Sequence, residues 1–241
     1  MTKFKKSSEL LWALGIIFIA LGVSICNKAD LGVSMIAAPA FVVSDAIAKV
    51  FSGFTVGVAE YSIQGIALII LCLVIKKFNW RYLLSFVVAV IYGYTLNFFI
   101  WCLSSITVDT VYMRWVMLLV GDCFTAFGVA CFFKTYLPIQ IHELFVTELS
   151  RTFKFDINKT KWIFDISSLL ISILLAVLLF DDIKTFDWST ITHSSFHNLG
   201  LGTLVTTIIN SPIIKLMSKL IDKLFVNSPL LPKVENLLKR T

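Results

Sequence analysis

Two acidic residues stand inside otherwise apolar runs of helix length: Glu60, followed by Tyr61 and Ser62, and Asp165, followed by Ser167 and Ser168. A carboxylate in such a setting has two obvious uses. It balances a cationic or amine-bearing solute, or it takes and releases a proton. The plainer alternative is a neutral structural acid hydrogen-bonded to Tyr61, Ser62 or Ser167. A second constellation follows Pro138, a residue suited to the first turn of a helix. There Gln140, Glu143, Thr147 and Arg151 recur at helical spacing, with His142 and Glu148 beside them. Such a face lines a cavity, or it lies at the membrane surface with its charges in water. Asn97 and Asn210 sit within the last apolar run of each half of the chain, Asn210 just before Ser211 and Pro212. They either line a site or join helices. The candidate substrate-binding or proton-coupling set is therefore Glu60, Asp165, Gln140, Glu143, Ser167, Asn97 and Asn210.

The elements that carry these residues repeat. Ala20, Gly22, Val23, Lys28 and Leu31 recur at one offset as Ala126, Gly128, Val129, Lys134 and Leu137. One gap later, Thr55, Glu60 and Ser62 recur as Thr160, Asp165 and Ser167. The two intramembrane acids thus occupy equivalent positions in two repeats.

With 58% hydrophobic residues in 241, a mean hydropathy of +0.87 and a soluble norm of ~45–50% apolar, the chain is expected to be an integral membrane protein in contact with the lipid bilayer. The formal charge of +6 is not read as a nucleic-acid interface, because Lys and Arg gather at the ends of apolar runs. Spans of ~20 residues are expected near 9–27, 54–76, 81–104, 114–134, 159–180 and 197–221, with shorter amphipathic elements at 31–50 and 137–153. The basic N-terminus reads as the start of an uncleaved first span.

Several signals point away from other chemistry. The five Cys form no C-x-x-C pair and read as small hydrophobes. His193 and His197 stand four residues apart but are too few for a metal site. The run from Gly200 to Thr203 lacks the full dinucleotide fingerprint and reads as a small-residue packing face. No nucleophile motif or H-E-x-x-H is present, so neither an enzyme nor a cofactor is expected.

Basic groups at Lys3 to Lys6, Lys76 to Arg81, Arg151 to Lys161 and Lys215 to Lys223 would share the cytoplasmic side only if the amphipathic elements dip in and return. Lys28 and Lys49 would then lie outside. The expectation is an all-α polytopic protein of one membrane domain over 1–241. It has inverted repeats at about 9–104 and 114–221, each of three transmembrane helices and one broken or re-entrant helix, and a short tail at 222–241. Both termini are expected to be cytoplasmic.

The unit Ala29-Asp-Leu-Gly-Val-Ser34 followed by Thr55-Val-Gly57, with Ile163-Phe-Asp165-Ile-Ser-Ser168 and Leu201-Gly-Thr-Leu-Val-Thr-Thr-Ile-Ile-Asn210 downstream, resembles the YczE/YyaS/YitT-type family of small bacterial integral membrane proteins. The resemblance implies a bacterial cytoplasmic membrane and no particular biochemistry. In the second repeat the Leu-Gly-Val-Ser motif has become Leu137-Pro-Ile-Gln140.

The function expected is secondary transport or facilitated passage of a small polar solute, cationic or zwitterionic, with or without proton coupling, at a midplane site between the repeats. Asp165 is expected to matter more than Glu60, since Lys161 lies one turn away. The rivals are a non-transporting scaffold and a channel. Cysteines placed at Asn79 and Ser189 should label from opposite faces of the membrane; labelling of both from one face would overturn the inverted topology.

Overall fold

The computed structural model describes residues 8–180 and 198–224. Its helices are α1 (Ser8–Ala29), α2 (Ala38–Ala48), α3 (Val56–Ile75), α4 (Arg81–Leu103), α5 (Val111–Phe132), α6 (Ile141–Phe153), α7 (Ile157–Leu179) and α8 (Leu201–Leu224). Six of these, all but α2 and α6, are long and apolar enough to cross a membrane. The chain is a multi-pass, all-α membrane protein. His193 and His197, the N-terminal lysines and most of the tail lie outside the described residues.

α2 and α6 have 11 and 13 residues. At 1.5 Å per residue they reach about 16 and 20 Å, short of a ~30 Å hydrocarbon core. Their contacts show where each begins and ends. The Ile141 amide donates to Gln64 Oε1 (3.1 Å), midway along α3. Farther along α6, Glu148 Oε2 accepts from Tyr82 Oη (3.3 Å) at the start of α4. On the other side, Ser168 Oγ, midway along α7, donates to the Met35 carbonyl (2.9 Å). Asp45, near the end of α2, accepts from Asn198 (2.6 Å), which also takes the Val33 amide on its carbonyl. Each short helix therefore starts near the middle of the bundle and returns to the end its chain came from.

α1 and α5 form the centre, and glycine makes their contact possible. A Cβ on Gly22 would lie 2.5 Å from the Gly121 carbonyl oxygen, and one on Gly128 would lie 2.8 Å from that of Gly15. Pairing 15 with 128 and 22 with 121 makes the helices antiparallel. Gly15 and Gly22 are also the counterparts of Gly121 and Gly128 at the repeat offset, so exchanging the repeats maps the contact onto itself. The other packing follows suit: α1 on α4 and α5 on α8, α2 on α7 and α6 on α3. Among the described residues two pairings lack a counterpart: α3 packs closely on α4 while α7 and α8 have no comparable contact, and α6 touches α4 while α2 and α8 do not match it.

Local chemistry sets the helix ends. Thr55 caps α3 by accepting from the Val58 amide, and Lys76 ends it in a left-handed conformation, as Lys154 ends α6. One detail differs from the sequence expectations. Pro138 does not open α6: the helix starts at Ile141, with Gln140 as its cap, and the Pro138 carbonyl instead accepts from Trp12 Nε1 (2.7 Å). Pro212 does not break α8, which runs on through Lys215, Lys219 and Lys223. The packing role expected at Gly200 to Thr203 is present, since Gly202 donates to the Leu31 carbonyl (2.8 Å) with no room for a side chain. Lys28 and Lys49 sit at the end opposite the main basic groups, Lys28 on the Ser104 carbonyl (3.0 Å) and Lys49 over the Phe180 ring.

Gly22→Ala should destabilise the protein by ~1–3 kcal/mol or more, because backbone atoms of α5 block the new methyl group. Gly65→Ala meets only the Phe86 ring, at 3.2 Å, and should cost much less. Thermal unfolding of both variants in detergent checks the difference.

Candidate functional site

The tips of α2 and α6 bring polar side chains into the apolar middle of the bundle. Glu60, one turn into α3, is 2% exposed. Its Oε1 accepts from Gln64 Nε2 (3.2 Å) and lies 3.1 Å from His142 Nε2. Gln64 faces Glu60 because the two are four residues apart on one helix. His142 arrives from the first turn of α6, whose tip the Ile141–Gln64 bond fixes. Which of the two donates in this contact depends on the tautomer of the imidazole.

Around this pair is a cavity of about 30 Å³ lined by Ser34, Ile36 and Ala37 from the α2 tip, Gln140, His142 and Glu143 from the α6 tip, and Glu60, Tyr92, Thr125, Lys161 and Asn210 among others. That is room for one or two water-sized groups. Two smaller cavities adjoin it. One shares His142, Glu143 and Lys161; the other shares Ser34 and Asn210 and is lined by Asp165, Thr206 and Thr207. Asp165 is held by Lys161 of its own helix (3.2 Å).

Hydrogen bonding in the central cavity is incomplete. Among the described residues, seven buried side-chain atoms have no protein partner. Five of them line this one cavity: Glu60 Oε2, Gln140 Nε2, His142 Nδ1, Glu143 Oε2 and Asn210 Oδ1. Leaving such a group unsatisfied costs roughly 1–3 kcal/mol, more if it is charged. Their concentration at one point marks a place built to meet something other than protein.

The charges are unbalanced as well. Asp122, buried on α5 one turn before Thr125, also has an unpartnered oxygen. With Glu60, Glu143 and Asp165 it gives four acids. Facing them is Lys161, which acts electrostatically on Asp122, Glu143 and Asp165, together with the imidazole of His142. Such a cluster favours a cation or bound protons.

Of the residues expected from the sequence, Glu60, Gln140, Glu143 and Asn210 meet in the central cavity and Asp165 lines the adjoining one. Glu60 and Asp165 do not share a cavity. The acid with the richer polar surround is Glu60, because α6 delivers His142 to α3. Ser167 is exposed on the outer surface of α7, and its neighbour Ser168 is the buried hydroxyl. Asn97 holds helices together: its Oδ1 accepts from the Gly57 amide (2.9 Å) and its Nδ2 donates to Thr55 Oγ1 (2.8 Å), where Gly57 and Gly93 meet. The polar face of α6 divides, with Gln140 and Glu143 buried and Thr147 and Arg151 on the wall of an open cleft of about 1100 Å³. That cleft also takes Lys77, Arg81 and Glu148.

Asp122, Gln64 and Tyr92 are additional. Asp122 carries the same signal that marks Glu60, a single acid in an apolar run, but its counterpart at the repeat offset is Ile16 and the repeat does not point to it.

The chain belongs to DUF6198, a family of unknown function, which it matches over residues 6–219. No curated protein and no solved structure matches it.

Glu60→Gln should leave the melting temperature equal or higher, since a carboxylate buried in a bilayer is itself costly. Asn97→Ala should lower stability by ~1–3 kcal/mol by leaving the Gly57 amide without its acceptor. Melting curves of the two variants in one detergent would show the contrast, and a large loss in Glu60→Gln would make that acid structural.

Proposed function

We propose that the protein is a secondary transporter or facilitator for a small polar solute bearing a positive charge, cationic or zwitterionic, with the central cavity as its site. The observation that carries this reading is the set of five unpartnered polar atoms, at the tips of two half-length helices, in a cavity short of positive charge. A merely packed helical interior has no use for them. Discontinuous helices meeting at mid-membrane are a recurrent way for transporters to build substrate sites.

Two further observations support the reading. The self-matching α1–α5 contact and the exchanged packing of α2 on α7 and α6 on α3 are what two inverted repeats would produce. The repeats are also unequal: α3 is closed on α4 through Gly57, Gly93 and Asn97, whereas α7 stands off α8 beside Asp165, Thr206, Thr207 and Asn210. In an inverted pair, exchange of the two arrangements opens one side as it closes the other.

By the positive-inside rule, the end bearing Lys76, Lys77, Arg81, Arg151, Lys154 and Lys159 faces the cytoplasm, and both termini lie there. The open cleft at that end would be the cytoplasmic approach. The likeness to the YczE/YyaS/YitT-type proteins suits the bacterial cytoplasmic membrane. A scaffold leaves the unpartnered atoms unexplained, and the small volume of the cavity disfavours a continuous channel. We assign no catalytic role to any residue.

Proteoliposomes should take up at least one of methylammonium, guanidinium and glycine faster than protein-free vesicles. Glu60→Gln and Glu143→Gln should each cut that flux about tenfold or more, a loss of ~1.4 kcal/mol. Absence of uptake of every solute by well-folded protein would overturn the proposal.

A further inference from the structure

The central site has a more specific preference, which rests on the transport reading above. We propose that it binds an ammonium group, as free ammonium or the smallest primary amines, and that the Lys161 ammonium is a tethered competitor for the same acids.

Three observations lead there. The first is donor and acceptor type. Of the five unpartnered atoms, Gln140 Nε2 is a donor and His142 Nδ1 takes either role, while Glu60 Oε2, Glu143 Oε2 and Asn210 Oδ1 are acceptors, so most of the unmet capacity is met by a guest with several N–H donors. The second is size. At about 30 Å³ the cavity holds one or two groups the size of a water molecule, which suits ammonium and methylammonium and excludes a quaternary ammonium. The third is the company of Lys161. Its side chain lines this cavity and the one it shares with Glu143, and its ammonium sits on Asp165. The protein itself thus solves the charge problem of these acids with an amine.

A bare metal ion fits less well. A hard cation gathers several oxygens at 2.3–2.6 Å. Among the described residues, no three His, Cys, Asp or Glu side chains converge so closely. Hydrogen bonding tolerates the wider spacing, being made at about 2.7–3.2 Å.

Lys161 competes through its charge, because it bonds Asp165 and lines the central cavity beside Glu143. With its charge on Asp165 and its field on Glu143 and Asp122, it weakens the pull on a second cation. Removing it leaves the same oxygens with no positive charge of their own except a protonated His142. A guest ammonium then binds more tightly.

The test uses the full chain, purified in detergent, with unfolding temperature read against added salt at fixed pH and ionic strength. Ammonium and methylammonium chloride should raise the melting temperature, while sodium and tetramethylammonium chloride should not. Bound ligand stabilises as RT ln(1 + [L]/Kd). Lys161→Met should lower the half-saturating ammonium concentration about tenfold, and Glu60→Gln combined with Glu143→Gln should abolish the shift. Equal shifts from all four salts, or none, overturn the ammonium assignment, as does an unchanged midpoint in Lys161→Met. If Lys161→Met does not fold, the ranking of the four salts on the unsubstituted protein decides. Uptake of another solute without any ammonium shift would remove this assignment and leave the transport reading standing.

Discussion

In the hydrocarbon core a polar group has to find its partner within the protein or in what the protein binds. The architecture depends on this constraint at one level, where the tips of α2 and α6 end midway through the bundle. The Met35 carbonyl is met by Ser168 and the Ile141 amide by Gln64. Once those backbone groups are satisfied by the opposite repeat, the side chains that accompany them, Gln140, His142 and Glu143, are left pointing into the same small volume as Glu60 and Asn210. The tips close the backbone ledger and open the side-chain one.

Close approach of α1 and α5 serves the same arrangement. Glycine at four equivalent places lets these helices touch backbone to backbone, and the cavity lies just beyond, against Ile19, Val23, Thr125 and Val129. An antiparallel contact that maps onto itself places the two short helices on opposite approaches to one centre. The departures from that regularity are chemical. The α3 half contains Gln64 where the α7 half has Leu169, and Asp122 stands where the first half has Ile16. One half therefore holds its acid with a histidine and an amide, and the other holds its acid with a lysine. Two similar backbones thereby acquire different electrostatic roles.

Much of this was legible in the sequence, for identifiable reasons. Unbroken apolar runs set the six spans, and the placement of Lys and Arg favoured 31–50 and 137–153 dipping in over crossing. The repeat that relates Gly22 to Gly128 also relates Glu60 to Asp165, one gap later. Ser168 was within reach: it lies three residues from Asp165 and shares its face, whereas Ser167 is turned away. The pairing of Glu60 with His142 was not legible, since it depends on α6 packing on α3 across 82 positions, and local periodicity holds no information on such a contact. Asn97 stayed open between two readings for a related reason. An amide in an apolar helix is equally suited to a site or to a helix end, and only the position of Gly57 distinguishes them.

The central claim is that this buried polar centre meets solvent from each side in turn. The most direct measurement places one cysteine at Ser34, on the α2 tip where the two cavities join, in a protein whose five native cysteines have been replaced. A small membrane-impermeant thiol reagent is then applied to each face of oriented vesicles. The account predicts reaction from both faces, slowed when a transported solute is present. Failure to react from either face, while the protein remains folded, would contradict it.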